Sequence, residues 1–324
     1  MKLKTAIFVL ALVVVGALLT APFASAARSP IKVGVADQSP AMFAQPAFRA
    51  LNTKRTRYFV PADVMQDLVE RTKARNFVVA ARAAGISTLL HISTSDLREK
   101  RGPIVSTTAY KRNVGRIVAY FRPLGVKDFG AWNEVNHKTQ ETWNRVGNAV
   151  SYFKSMYQAV KRRCPGCAVV GLDVLDQAGV DTYMASFYGR LNATWRKRLT
   201  IVGIHNYSDV NRNRSTGTAK IIRSARKFNK RTKFWFTETG GLASFRAAFP
   251  YNEARQASRM KNMFTYATRY RLLGVERVYS YNYFGIENGG CGSTCRFDAG
   301  LVDPNGTPRP VYNVFKTRLA NFSR

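Results

Sequence analysis

The chain has 324 residues, with 51 Lys and Arg against 19 Asp and Glu, and a formal net charge of +32 at pH 7. With 46% apolar and 22% charged residues it has the composition of a globular protein that can bury a core, which excludes disorder throughout. Its 23 Gly and 12 Pro are too few for a collagen-like or low-complexity chain, so the charge is the one unusual number, and it raises the question of a nucleic-acid partner.

In chain order, residues 1–26 read as a secretory signal. Lys2 and Lys4 form the basic start, Ala6 to Leu19 is apolar throughout, and Ala24-Ser25-Ala26 offers a small-residue cleavage site. The apolar run is shorter than the ~20 residues a membrane span needs. We therefore expect an exported chain that begins at Ala27, has no membrane span after cleavage, and forms a single domain over residues 27–324. The signal holds two Lys and no acid, so the basic surplus belongs to the domain itself. Export shifts the expected partner of that surplus from a genome to an anionic polysaccharide, a wall polymer or a membrane surface.

Short β-rich segments then recur at 31–35, 57–60, 87–92, 126–133, 168–174, 200–206, 233–237 and 277–283, several of them continuous apolar runs of the kind found in strands buried on both faces. Between them lie amphipathic stretches at 64–84, 109–121, 146–163 and 251–273. The first carries Val64, Leu68, Val69, Phe77 and Val78 among charged residues. Eight strands alternating with helices predict an α/β fold, a (β/α)8 TIM barrel. The alternative, a doubly wound open sheet, calls for a Gly-rich first turn, and Val35-Ala36-Asp37-Gln38 has none.

Four cysteines fall in two close pairs, Cys164 with Cys167 and Cys291 with Cys295. Two local disulfides, a four-Cys zinc site and a redox pair compete. In a barrel the first pair lies at the N-terminal face and the second follows the eighth strand at the C-terminal face. That separation removes a shared metal and favours local disulfides.

A barrel's active site lies where its strands end. The fourth predicted strand ends in Trp132-Asn133-Glu134-Val135-Asn136-His137 and the seventh in Phe236-Thr237-Glu238, so two of the few acids reach the same face. Two carboxyls across a cleft are the equipment of glycoside hydrolysis, one protonated to donate to the leaving oxygen and one ionised to attack. Either Glu taken singly would also fit a strand-end ion pair with Arg.

Trp132-Asn133-Glu134 with Asn136 resembles the strand-four motif of the clan A glycoside hydrolases, Thr237-Glu238 resembles their strand-seven motif, and His205-Asn206-Tyr207 resembles their strand-six element. The resemblance implies a retaining enzyme without a cofactor, with Glu134 as acid/base and Glu238 as nucleophile. It further implies Asn133 on the sugar 2-hydroxyl, Tyr207 bonded to Glu238, His205 on the same wall and Arg57 near the nucleophile. Val135 stands where the clan usually has Pro. The exact family is left open between cellulase-like and xylosidase/iduronidase-like members.

Three residues are further substrate-binding candidates. Tyr283, nearest the end of the Tyr279-Tyr281-Tyr283 alternation, is a candidate sugar platform; Trp143 is either a subsite floor or the anchor of the next helix; His137 is a loop ligand or an exposed surface residue. His91, near the end of the third strand, points either into the site or away from it. No His pair has a metal-binding spacing, so no metal is expected. The expected partner is a polysaccharide or oligosaccharide, with anionic ones among the candidates, and no specific nucleic acid. A non-catalytic carbohydrate- or wall-binding barrel and a secreted polyanion-binding protein are the competing classes.

Overall fold

A computed structural model describes residues 28–93, 104–287 and 296–323. The expected signal segment and the Cys291–Cys295 pair lie outside the described residues.

Eight parallel strands alternate with helices: β1 (Ser29–Ala36), β2 (Arg55–Pro61), β3 (Ser87–Ser93), β4 (Asp128–Gly130), β5 (Ala168–Leu175), β6 (Ile201–His205), β7 (Lys233–Thr239) and β8 (Val275–Tyr281). A two-residue β9 (Phe322–Ser323) adds to the outer edge of β1. The strands follow one another in order from β2 to β8, β8 pairs with β1, and β1 lies against β2. The fold is the expected (β/α)8 barrel.

The helices are α1 (Pro46–Leu51), α2 (Leu68–Ala83), α3 (Thr107–Phe121), α4 (Val146–Arg163), α5 (Val180–Gly189), α6 (Ala193–Arg198), α7 (Tyr207–Asn211), α8 (Thr216–Phe228), α9 (Glu253–Arg269) and α10 (Pro310–Leu319). Their buried faces form the main core against the outside of the barrel, where Phe77, Tyr110, Phe153 and Phe187 are fully buried. A smaller cluster of Leu89, Val170, Trp235, Tyr279 and Tyr281 fills the barrel's interior. Beneath it Arg277 stacks 3.7 Å over Trp235 and reaches Asp128 Oδ2 at 2.5 Å, closing the N-terminal end with a paired charge.

Two expectations change. The helix expected from Val64 begins at Leu68, where Asp67 caps it by accepting from the amides of Val69 and Glu70. Its first turn faces solvent, with Leu68 66% and Val69 62% exposed, so these two are not core. The fourth strand is three residues long, but its path continues: Ala131 N donates to Val170 O, Asn133 N to Ile92 O and Val135 N to Asp173 O. Alternating bonds to β3 and β5 carry Asn133 and Glu134 to the barrel mouth. Cys164 and Cys167 form the expected local disulfide in the α4–β5 turn, at the N-terminal face.

Candidate active site

Inside the mouth the apolar filling gives way to a polar layer. Arg57 comes from β2, His91 from β3, Asp173 from β5, His205 from β6 and Glu238 from β7, with Asn133 and Glu134 just beyond β4. Two glycines make room for it. A Cβ on Gly203 would lie 1.8 Å from Asp173 Oδ1, and one on Gly130 would lie 2.2 Å from the His91 ring. The barrel accommodates these side chains only because the neighbouring strands have none there. Glu134 takes a positive φ of 44°, which turns its side chain back over the mouth.

Glu238 is held by two donors. Arg57 Nη1 lies 2.9 Å from Oε2, and the Tyr207 hydroxyl lies 3.2 Å from Oε1 and 3.0 Å from the Tyr281 carbonyl. The same guanidinium donates from Nε to His91 Nδ1 at 3.3 Å and from Nη2 to Asn133 Oδ1. Arg57 therefore fixes three site residues at once with its planar fork.

Glu134 and Glu238 meet at His205. Nδ1 of that ring is 2.9 Å from Glu134 Oε1 and 3.5 Å from Glu238 Oε2, so these two oxygens are no more than about 6.4 Å apart, the sum of the two distances. On the other side of the ring, Nε2 lies 3.0 Å from Asp173 Oδ2, at ion-pair distance although the N–H is not aimed along a hydrogen bond. Asp173 is itself anchored, accepting from the Thr237 hydroxyl through Oδ1 and from the Glu134 amide through Oδ2 at 3.4 Å.

The charges follow from this packing. Burial alone would strip the proton from His205, but Asp173 first, then Glu238 and the bond to Glu134, raise its pKa to about 10, so the ring is an imidazolium at neutral pH. His91 is the opposite case: burial lowers it to about 3 and Arg57 donates to its Nδ1, so it is neutral. Burial would also raise Asp173, yet His205, His91 and Arg57 hold it below the ordinary carboxylate range. Burial pushes Glu238 up, and its neighbour Glu134 adds to this against the pull of His205 and Arg57. Glu134 is likewise pushed up by burial, but the His205 donor brings it below its usual value. The imidazolium thus favours the ionised form of Glu134, while burial and the neighbouring Glu134 work against the ionised form of Glu238.

The expected residues divide into those brought together and those left aside. Arg57, Asn133, Glu134, His205, Tyr207 and Glu238 form one connected cluster. His137 sits at its rim, with Nδ1 3.8 Å from Glu134 Oε2 and 2.7 Å from Thr139 Oγ1. Trp143 stands 43% exposed on the loop between Glu134 and α4. Tyr283 is a correction: it is fully buried against Phe48 and Phe284 and presents no face to a sugar. The reason is local. β8 ends at Tyr281, and Asp37 Oδ2 accepts from the amides of Tyr283 and Phe284, taking the chain out of the alternation assumed for a continuous strand. Asn136 serves the frame rather than the cavity, exchanging two hydrogen bonds with the Leu175 backbone. Asp173 was missed by sequence reasoning. Its signal was available, an acid inside the apolar run Val169–Val174, but nothing in the run shows that two histidines and an arginine converge on it.

No protein-family model matches the chain, and no curated protein matches it. Solved structures do share its fold. One is the GH39 enzyme from Xanthomonas axonopodis pv. citri, at TM-score 0.63 and 15% identity over 92% of this chain and 68% of that one. A structure of fungal β-1,4-galactanases has TM-score 0.64 and 13% identity over 88% of this chain and 98% of that one. GH5_18 from Streptomyces cattleya, in complex with GlcNAc, has TM-score 0.61 and 14% identity over 92% and 83%. The barrel is thus one found among GH39, GH5 and other glycoside hydrolases, and the resemblance drawn from the strand-end motifs extends to the fold.

Proposed function

We propose that the chain is an exported glycoside hydrolase that cleaves O-glycosidic bonds of a polysaccharide or oligosaccharide by double displacement. The observation that carries this reading is the meeting of Glu134 and Glu238 at one imidazole, with Arg57 and Tyr207 on the second carboxylate. The bound of about 6.4 Å between their oxygens is compatible with the ~5–5.5 Å carboxyl separation of retaining pairs.

In this reading Glu238 attacks the anomeric carbon as the bond to the leaving oxygen breaks. The proton for that oxygen comes through Glu134, drawn along its hydrogen bond from His205 Nδ1 as the leaving group develops charge. Asn133, whose Oδ1 is taken by Arg57, donates from its amide nitrogen to the sugar 2-hydroxyl. Glu134 then takes a proton from water and returns it along the same bond to His205 Nδ1, the water oxygen bonds to the anomeric carbon, and Glu238 is released as the carboxylate. Export follows from residues 1–26, and residues 27–324 form the single catalytic domain.

A panel of aryl glycosides and polysaccharides tests this. Glu238→Ala should lose turnover on every substrate. Glu134→Ala should still release an activated phenol in a burst and then stall at deglycosylation. Equal losses on good and poor leaving groups would remove Glu134 from the acid role. No turnover on any substrate, with sugar binding retained in Glu238→Ala, would make the chain a carbohydrate-binding barrel.

A further inference from the structure

The charge is not spread evenly over the barrel. Among the described residues the acids gather toward the mouth, near the ends of β5 and β7, after β1, β2, β4, β5, β6 and β8, and at the starts of α2, α5 and α9. Only Asp128 and Glu276 lie at the opposite, N-terminal end. Both are paired, Asp128 with Arg277 at 2.5 Å and Glu276 with Lys233 at 2.7 Å.

Cations lie at both ends, Lys138, Arg145, Arg212, Arg214 and Arg246 among them at the mouth, but only at the N-terminal end do they greatly outnumber the acids. Lys161-Arg162-Arg163 end α4 and Arg196-Lys197-Arg198 end α6, while segments 226–231 and 269–271 add more between α8 and β7 and between α9 and β8. A cation per helix end is an ordinary complement to the helix dipole. Three at each of two neighbouring ends, continued into the connecting loops with no acid, exceed that need.

These segments adjoin. The Arg198 guanidinium lies 5.6 Å from the Tyr157 ring of α4, Asn229 after α8 donates to Arg196 O, and Arg226 donates to Leu273 O. The arc ends on an apolar tip, Leu272 and Leu273, with Leu272 83% and Leu273 39% exposed beside Arg269 and Arg271. Further exposed cations (Arg82, Arg122, Lys127, Lys316 and Arg318) continue around the same face.

We propose that this N-terminal face is a docking surface for an anionic lipid bilayer, which leaves the barrel mouth turned away from the membrane. A planar partner fits cations spread around a whole face, and an exposed Leu pair among them supplies the apolar contact that a soluble polyanion does not need. The mouth is more than about 20 Å away along strands of seven or eight residues, beyond the ~10 Å Debye length at 0.1 M salt. The two ends therefore act independently, and the surface does not depend on the hydrolase reading.

Vesicle co-sedimentation of the mature chain, with phosphatidylcholine alone or with phosphatidylglycerol added, tests the proposal. Binding should require the anionic lipid. R162E/R163E/K197E, which removes three attractions and adds three repulsions, should weaken it by at least about a hundredfold. K138E/R145E/R212E, an equal charge change at the mouth, should stay within about threefold of wild type. L272S, which removes an exposed side chain and leaves the charge unchanged, should weaken binding that persists in 0.3 M salt. Equal losses from the two charge-reversal triples would overturn the surface, as would unchanged binding in L272S. Binding to soluble polygalacturonate that is lost in R162E/R163E/K197E, without vesicle binding by the wild type, would assign the face to an anionic polymer and overturn the lipid partner.

Discussion

Replacing Asp173 by Asn keeps the side chain's volume and removes its charge. Asp173 Oδ2 lies 3.0 Å from His205 Nε2, and both residues are fully buried. A rise of the His205 pKa from 6.5 to about 10 corresponds to about 5 kcal/mol of favourable interaction with the imidazolium, net of the burial that opposes it. Asp173 leads Glu238 and Glu134 among the favourable causes, so its removal should cost on the order of 2–3 kcal/mol. The sign follows from linkage. A group whose folded pKa is raised adds stability that is complete below its unfolded pKa near 6.5 and is lost as the pH climbs through about 10. Urea unfolding at pH 6 should therefore show Asp173→Asn destabilised by about 2–3 kcal/mol, and at pH 10.5 the difference should shrink to under about 1 kcal/mol. An NMR titration of the His205 ring should show its pKa lowered in the variant. An equal loss of stability at both pH values would refute the charge coupling and leave Asp173 a packing residue.

Three further outcomes are expected. Burial and the neighbouring Glu134 raise Glu238 above the ordinary 4.5, and attack needs it ionised, so kcat/KM should fall on the acid side through an apparent pKa above 4.5; a limb at or below 4.5 in the pH–rate profile would contradict this. Tyr207→Phe removes the hydroxyl 3.2 Å from Glu238 Oε1 and should cost about tenfold or more in kcat while shifting that limb upward; a loss without the shift would make Tyr207 a packing residue only. Asn136→Ala removes two bonds to the Leu175 backbone at 2.8 and 2.9 Å and should destabilise the fold by about 2 kcal/mol in chemical denaturation; an effect within about 0.5 kcal/mol would show that the β4 and β5 loops are held by other contacts.

Much of the site was legible because a barrel strand has a simple rule: what ends it faces the mouth. Glu134, Glu238, His205 and Tyr207 stand at or just beyond strand ends, so their convergence followed once the strands were read. Tyr283 failed for a related reason. Period-two alternation holds only while the strand continues, and here it stops at Tyr281. The exposed Leu68 and Val69 show the same limit at a helix start, where the Asp67 cap decides which turn is first.

The sequence by itself determined the barrel, the two carboxylates and the surplus of positive charge, because these depend on local periodicity, strand order and composition. Only the tertiary structure decided the charge states. Whether a buried His is neutral, as His91, or an imidazolium, as His205, depends on which carboxylates lie within a few ångströms, and those come from strands far apart in the chain. It also decided where the surplus cations go. The described acids gather at strand ends while the helix ends of the opposite face carry cations with few acids among them, so a net charge that has no direction in the sequence acquires one in the fold.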